Sequence, residues 1–130
     1  MRLLLALPLA LAAPPAAADG FGFRTPSGNI YCNGMTTTPE IACVIVERDP
    51  GSAPIDCPAG RQLEVAMAER GRVTARCGGP GRASTYTDVA AYGVTGRFGR
   101  IECRSEQTGF TCTNADGHGF SLSRRSQRVF

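Results

Sequence analysis

The chain has 130 residues with 14 Arg and Lys, 11 Asp and Glu, six Cys, one His and no Trp. This length allows a single domain and excludes multidomain enzymes, (β/α)₈ barrels and dinucleotide-binding folds. The formal net charge of +3 is weak. No nucleic-acid-binding motif is recognisable, so we expect no nucleic-acid partner.

Residues 1–18 have the parts of a secretory signal peptide. They begin Met-Arg, continue with an apolar stretch from Leu3 to Ala13, and end in three alanines before Asp19. A charged start, an apolar run and an A-x-A end predict cleavage after Ala18. The apolar run is shorter than the ~20 residues needed to cross a bilayer, so we expect no membrane span. The sequence predicts one domain, residues 19–130, in the periplasm or outside the cell.

The six cysteines all follow this leader, and their even number in an exported chain predicts three disulfides. Metal ligation favours close C-x₂-C pairs, whereas eight residues separate even the nearest two cysteines here. We therefore expect no metal site, and no motif predicts a cofactor. The cysteines are Cys32, Cys43, Cys57, Cys77, Cys103 and Cys112.

Turn chemistry predicts how these cysteines pair. Short strand-like runs flank the turn-rich segments Gly34–Pro39 and Ser105–Gly109, and a hairpin at each segment places two cysteines directly opposite each other. The remaining two cysteines pair by elimination. The predicted bonds are Cys32–Cys43, Cys103–Cys112 and Cys57–Cys77.

The rest of the chain consists of short apolar alternations separated by Gly and Pro. This pattern predicts an all-β fold, a small antiparallel sandwich or barrel built from hairpins and stabilised by three disulfides. Residues 49–58 and 78–84 are rich in Gly and Pro and are predicted loops. The predicted strands are Phe21–Thr25, Asn29–Asn33, Glu40–Glu47, Arg61–Ala68, Arg72–Cys77, Thr85–Val94, Arg100–Arg104, Gly109–Thr113 and Gly119–Arg124.

The expected core consists of apolar residues at strand-compatible spacing, which are usually packing rather than ligand contacts. The two outer hairpins also look like a weak internal repeat, and convergent hairpin patterns explain this as well as duplication does. The expected core residues are Phe23, Ile30, Ile41, Val44, Val65, Val73, Tyr92, Ile101, Phe110, Phe120 and Leu122.

Three sequence motifs carry a resemblance: FRTPSGNIYC from Phe23 to Cys32, then Tyr92-Gly93, and GHGFSLSR from Gly117 to Arg124. With them the chain resembles an uncharacterised domain-of-unknown-function family of small secreted bacterial proteins with paired cysteines. The resemblance implies bacterial export and a compact disulfide-bridged domain. It implies no established activity and no catalytic residues.

Catalysis is not expected from the sequence. The single histidine, His118, follows Asp116 and precedes Ser121, so a triad of these residues would be crowded into one turn and strand. An Asp-Gly hairpin turn, with positive φ angles at Asp116 and Gly117, explains the segment more simply. A small hydrolase that depends on His118 remains the enzymatic alternative.

Binding residues are therefore the remaining candidates. Arg124, Arg125 and Arg128 cluster near the C-terminus, and guanidinium groups bind carboxylate and phosphate. Together with Asp116 and His118 they form the candidate binding set. A second basic cluster surrounds the middle hairpin and consists of Arg70, Arg72 and Arg76.

The function expected is a secreted or periplasmic non-enzymatic binding module. Its partner would be an envelope or extracellular protein or an anionic polymer. The alternative is a protein inhibitor of an extracytoplasmic hydrolase of the lysozyme or protease type. Such an inhibitor would act through one protruding loop, Asp49–Asp56 or Asn114–Gly119. The sequence leaves the oligomeric state open.

Overall fold

The computed structural model describes residues 20–130, so the predicted signal peptide lies outside the described residues. These residues form ten β-strands, and no helix among them is long and apolar enough to cross a membrane. The strands are β1 (Gly20–Arg24), β2 (Ile30–Met35), β3 (Glu40–Ile45), β4 (Arg61–Ala68), β5 (Thr74–Pro80), β6 (Thr95–Phe98), β7 (Ile101–Glu106), β8 (Gly109–Thr113), β9 (Gly119–Leu122) and β10 (Gln127–Val129).

The strands make two five-stranded antiparallel sheets, each with its strands in chain order. We call β1–β5 sheet A and β6–β10 sheet B. In both sheets the second and third strands form a hairpin that carries a disulfide at directly opposed positions, Cys32–Cys43 in sheet A and Cys103–Cys112 in sheet B. The third bond joins Cys57 to Cys77. The structure thus forms the three predicted pairs and places the two outer hairpins at equivalent positions.

The core lies between the two sheets. Sheet A contributes mainly aliphatic side chains, including Ile41 and Leu63, whereas sheet B contributes the fully buried Phe110 and Phe120. The ring of Phe110 meets that of Phe23 from sheet A at a centroid distance of 5.6 Å. The all-β prediction is confirmed, and of its two architectures the sandwich is present and the closed barrel is wrong.

The buried Arg48 supports one end of the sandwich. Its guanidinium donates to the carbonyls of Pro58 at 2.7 Å and Arg61 at 2.6 Å, and to the side-chain oxygen of the buried Gln127 at 3.5 Å. The Gln127 oxygen also accepts a bond from the Ser52 hydroxyl at 2.8 Å. Burial lowers the pKa of Arg48 from its ordinary value. This network fixes the loop between β3 and β4 against sheet B.

The largest error of sequence-based strand assignment is in the connection between the sheets. Thr85–Val94 was expected to be a strand, but apart from one bridge at Val89 it is irregular, and the strand follows at Thr95–Phe98. Asp88, Gly93 and the small residues Ala90 and Ala91 interrupt the alternation, so this segment supplies no continuous apolar face. β10 was not predicted because its three residues are too short to show a pattern.

Smaller corrections concern strand ends and the core. β5 begins at Thr74 rather than at residue 72 and extends to Pro80, into the segment expected to be a loop. Tyr92 was expected in the core but is 42% exposed, because it belongs to the irregular connection. Val44 is half-buried on the outer face of sheet A, since the residues on either side of it, Cys43 and Ile45, face inwards.

Candidate functional site

A row of small side chains crosses the outer face of sheet A. Side chains of a strand alternate between faces, and the register aligns one outward position from each strand. Successive partners in this row are Gly22, Asn33, Ala42, Ala66 and Thr74. With strands about 4.8 Å apart, four spacings give a row about 19 Å long. The row forms the floor of a groove with a volume of about 900 Å³.

One wall of this groove is the connection between the sheets, residues 81–94, which we call the strap. The strap crosses the outer face of sheet A. It begins near β4, where the Arg82 amide donates to the side-chain oxygen of Gln62 at 3.3 Å. It ends at the edge of β1, where the Arg24 amide donates to Asp88 and the Arg24 carbonyl accepts from Ala90.

Tyr86 is the strap residue that faces the groove. Its ring lies directly over Gly22, where a Cβ atom would overlap the ring, so this strand position requires glycine. The same ring packs at 6.1 Å from the ring of Tyr31 on β2. Burial is the main cause that raises the pKa of Tyr31 above its ordinary value. Tyr86 therefore forms an aromatic wall at the β1 end of the groove.

The opposite rim of the groove is open and charged. It includes the exposed Met35 and Glu40 and the exposed arginines Arg70 and Arg72. Arg70 is paired with Asp116 at 3.0 Å. Within residues 20–130, neither Glu40 nor Arg72 has an ion-pair partner. Both charges are thus available to a partner lying in the groove.

The C-terminal arginines do not act as a single patch. Arg124 pairs with Glu47 at 3.2 Å and lies 3.6 Å from a carboxylate oxygen of Asp49, so carboxylates of the loop between β3 and β4 partly offset its charge. Arg125 and Arg128 are exposed and have no ion-pair partner in the described part of the chain. A binding role for these three arginines stays a prediction.

Asp116 and its neighbours join the two sheets. The Asp116 carboxylate accepts a bond from the Gly71 amide at 2.7 Å, in addition to its pair with Arg70. The bond from the Gly71 amide is the largest of the causes that lower the pKa of this carboxyl from its ordinary value. Asp116 thus has structural partners in the turn between β4 and β5.

Asn114 completes the same junction. Its buried side-chain amide donates to the carbonyls of Ala68 at 3.1 Å and Gly71 at 2.8 Å, and its oxygen accepts from the His118 amide. The turn needs a positive φ only at Gly117, at 79°, so the expectation of a positive φ at Asp116 is wrong.

The His118 ring lies 3.4 Å from the carbonyl oxygen of Phe130. The structure therefore brings His118 and Asp116 into one turn, while the exposed C-terminal arginines lie on other segments.

The groove was missed from sequence because no single segment contains it. Its floor takes one residue from each of five strands, so it exists only once the register is known. Its lining offers one carboxylate, two guanidinium groups, a tyrosine and apolar surface. Within residues 20–130 no cluster of three His, Cys, Asp or Glu side chains could hold a metal ion.

A family model described as a family of unknown function (DUF6636) matches residues 45–130. Searches of the curated proteins and of the solved structures return no match. The matched range includes β4, β5, the strap and all of sheet B, whereas the motif from Phe23 to Cys32 precedes it. The resemblance to an uncharacterised domain family is confirmed.

Proposed function

The chain belongs to this family of unknown function, DUF6636, which supplies no activity, and from the surface of the protein itself we propose a non-enzymatic binding module. The groove on the outer face of sheet A carries the proposal. An apolar floor, an aromatic wall and a few charged side chains at the rim are typical of a site that binds without reacting. The partner is an envelope or extracellular protein or an anionic polymer.

The rigidity of the groove supports this function. Its floor is built on strands rather than loops, and a disulfide joins the central strand β3 to its neighbour β2. The strap is held at both ends by backbone and side-chain hydrogen bonds. A surface that is ordered before binding loses less conformational entropy when the partner arrives, which favours affinity.

Export to the periplasm or the medium is part of the proposal. Three disulfides and no free cysteine among the described residues suit an oxidising compartment. Mass spectrometry of the protein purified from a bacterial host should find a chain that starts at Asp19 and contains six oxidised cysteines. An intact leader or free thiols would contradict export.

Affinity capture with blocked variants tests the binding function. Ala42 lies on the central strand of sheet A, and Ala42→Trp fills the groove. Thr111 occupies the matching place on the central strand of sheet B, so Thr111→Trp is the control. Oxidised protein is immobilised and exposed to envelope and medium fractions of the producing cells, at low and moderate salt.

If wild type and Thr111→Trp retain a partner that Ala42→Trp loses, the result supports binding in the groove. Retention by all three proteins contradicts it. A further variant with Arg124, Arg125 and Arg128 changed to Ala tests the earlier prediction for the C-terminal arginines, and loss of the partner in this variant alone would move the binding surface there.

Inhibition of an extracytoplasmic hydrolase is the second candidate, and one loop favours it. Ile55 is 38% exposed near the end of Asp49–Asp56, and the residues that follow the loop are fixed by Arg48 and by the Cys57–Cys77 disulfide. An apolar side chain on a fixed loop suits insertion into an enzyme cleft. If lysozyme or protease activity is inhibited, Ile55→Asp should abolish the inhibition. Equal potency of Ile55→Asp would exclude this loop.

A further inference from the structure

The sandwich opens into an apolar crevice at the edge where β1 and β6 approach each other. Its volume is about 390 Å³. Phe21 and Phe23 line it from sheet A, and Phe98 and Phe110 line it from sheet B. The rings of Phe21 and Phe98 meet edge to face at 4.9 Å. Four aromatic side chains from both sheets therefore surround one opening.

The crevice is open to solvent along an aliphatic lip. Val89 and Val94 of the strap lie at this lip and are 46% and 49% exposed. The half-buried Phe21, Phe23 and Phe98 continue the apolar surface inwards from the lip. A continuous path of apolar surface thus leads from solvent to the core.

The polar groups beside the crevice already have protein partners. The Ser105 hydroxyl donates to the Ala90 carbonyl at 2.9 Å, and the Ser105 amide donates to the Val94 carbonyl at 3.0 Å. The Ser105 carbonyl accepts from the Gly93 amide at 2.7 Å. A water molecule in a buried site needs two to four polar partners. The crevice consequently suits an apolar occupant better than it suits water.

A cationic residue lies beside the crevice on the edge strand β6, and its side chain starts from the outer face of sheet B, opposite Glu102. The Arg97 guanidinium pairs with Glu102 at 2.6 Å, and the Arg97 side chain is 74% exposed. Exposed ion pairs are weak, so the guanidinium can leave Glu102 at little cost and turn over the edge of β6 to an anion at the mouth of the crevice. Apolar walls with a guanidinium beside them complement a molecule that has one apolar part and one anionic group.

We propose that this crevice binds the apolar chain or ring of a small anionic amphiphile, such as a medium-chain fatty acid, with its carboxylate at Arg97. The volume lies near the lower end of the roughly 300–1,000 Å³ of ligand pockets, which favours a monomeric amphiphile with one chain over a two-chain lipid. The site shares only Phe21 with the lining of the groove and opens between the sheets rather than on the outer face of sheet A, so the proposal does not depend on the proposed function.

Binding of two probes to the full oxidised protein tests the crevice. The probes are decanoate, kept below its micellar concentration and measured by calorimetry, and an anilinonaphthalene sulfonate dye, measured by fluorescence. We expect one site per chain, and decanoate should displace the dye. Vesicles of an anionic phospholipid form a separate arm, and binding to vesicles without binding of monomeric decanoate would overturn the proposal.

Two glycine variants locate the site. Gly96 lines the crevice, and a Cβ atom there meets no atom within 4 Å, so Gly96→Trp fills the crevice without a backbone clash. Gly79 on β5 has equally open surroundings and lies away from the crevice, so Gly79→Trp is the matched control. We expect Gly96→Trp to weaken both probes at least about tenfold, which is ~1.4 kcal/mol, and Gly79→Trp to leave them unchanged.

The charge assignment has its own pair of variants. Arg97→Gln should weaken decanoate about threefold while leaving decanol unchanged, because only the acid has the anionic group. Arg76 is as exposed as Arg97 and is also paired with a glutamate, so Arg76→Gln is the control. Equal loss in both variants would overturn the role of Arg97.

A last variant tests the crevice in case Gly96→Trp does not fold. Val89→Asp places a carboxylate at an already exposed lip position and should repel both anionic probes. Unchanged binding in Gly96→Trp or Val89→Asp, or no binding to wild type, overturns the proposal.

Discussion

The two sheets share a plan and differ in their outer faces. Each is a five-stranded meander whose second and third strands are joined by a disulfide. The outer face of sheet B has charged pairs along its strands, Arg97–Glu102 at 2.6 Å and Arg104–Glu106 at 2.7 Å, which is typical of a solvated surface. The outer face of sheet A instead has a groove with a floor of small residues.

The comparison distinguishes the inner faces, which pack the core, from the outer face that we propose for binding. Both sheets bury their inner faces, so the difference between them lies on their outer faces. Sheet B supplies the largest buried side chains, and sheet A supplies the groove that we propose as the binding surface. We therefore expect core substitutions in sheet B to lower stability most, and substitutions at the open floor positions of sheet A, Ala42 and Ala66, to change binding alone.

The largest expected effect is at Phe110, which is 2% exposed and packs against Phe23 of the other sheet. Phe110→Ala should lower the free energy of unfolding by about 3–5 kcal/mol, because it removes buried area and leaves a cavity. Chemical denaturation measures the loss. Phe130→Ala, at a residue that is 47% exposed, is the control. Similar losses in the two variants would contradict the assigned core.

Removal of each hairpin disulfide tests whether the sheets are equivalent. Changing Cys32 and Cys43 together to Ala, or Cys103 and Cys112 together, should lower the free energy of unfolding by about 2–4 kcal/mol. Their sequence separations of 11 and 9 residues are close, so the two losses should be similar. If removal of one of the two disulfides lowers the free energy of unfolding negligibly, by the same denaturation, the two sheets are not equivalent.

The junction between the sheets gives a smaller effect. Asn114→Ala removes the donor to two carbonyls of the β4–β5 turn and leaves buried polar groups without a partner. We expect a loss of about 1–3 kcal/mol in the free energy of unfolding. Thr113→Ala, one residue earlier and on the outer face, should stay within about 0.5 kcal/mol. A loss at Thr113 as large as that at Asn114 would argue against the junction.

The smallest effect is a pH dependence at Asp116. The Gly71 amide, helped by Arg70, lowers its pKa in the folded state below the unfolded value, which is about 3.9. The carboxylate therefore stabilises the fold above that value, and the contribution is lost as pH falls through the folded pKa. Denaturation of wild type and Asp116→Asn should show a constant stability difference above about pH 5 that shrinks in acid. A stability difference that grows in acid would contradict a lowered pKa of Asp116 in the folded state.

The sequence predicted the features that depend on residues close together along the chain. Hairpin turns and alternation located Arg61–Ala68 and Gly109–Thr113 to the residue, and the hairpin geometry paired the cysteines. Thr85–Val94 of the strap was predicted as a strand, whereas its actual partners, such as Tyr31 and Gly22, lie far away in sequence.

The candidate sites could not be predicted for the same reason. The groove needs the register of five strands, and the crevice needs the approach of two sheets, which no local pattern encodes. Arg124 looked available in the sequence, but it pairs with Glu47 and lies near Asp49, both in the loop between β3 and β4. Charge clusters read from sequence cannot reveal partners that only the fold brings close.

The most direct measurement is an amide chemical-shift map of the isotope-labelled protein, recorded with and without the partner that capture retains. We predict that the shifts concentrate on the outer face of sheet A, at Ala42, Ala66 and Thr74, and leave β7 and β8 unchanged. Shifts that concentrate on the outer face of sheet B, or around Arg125 and Arg128, would contradict the assignment of binding to the groove.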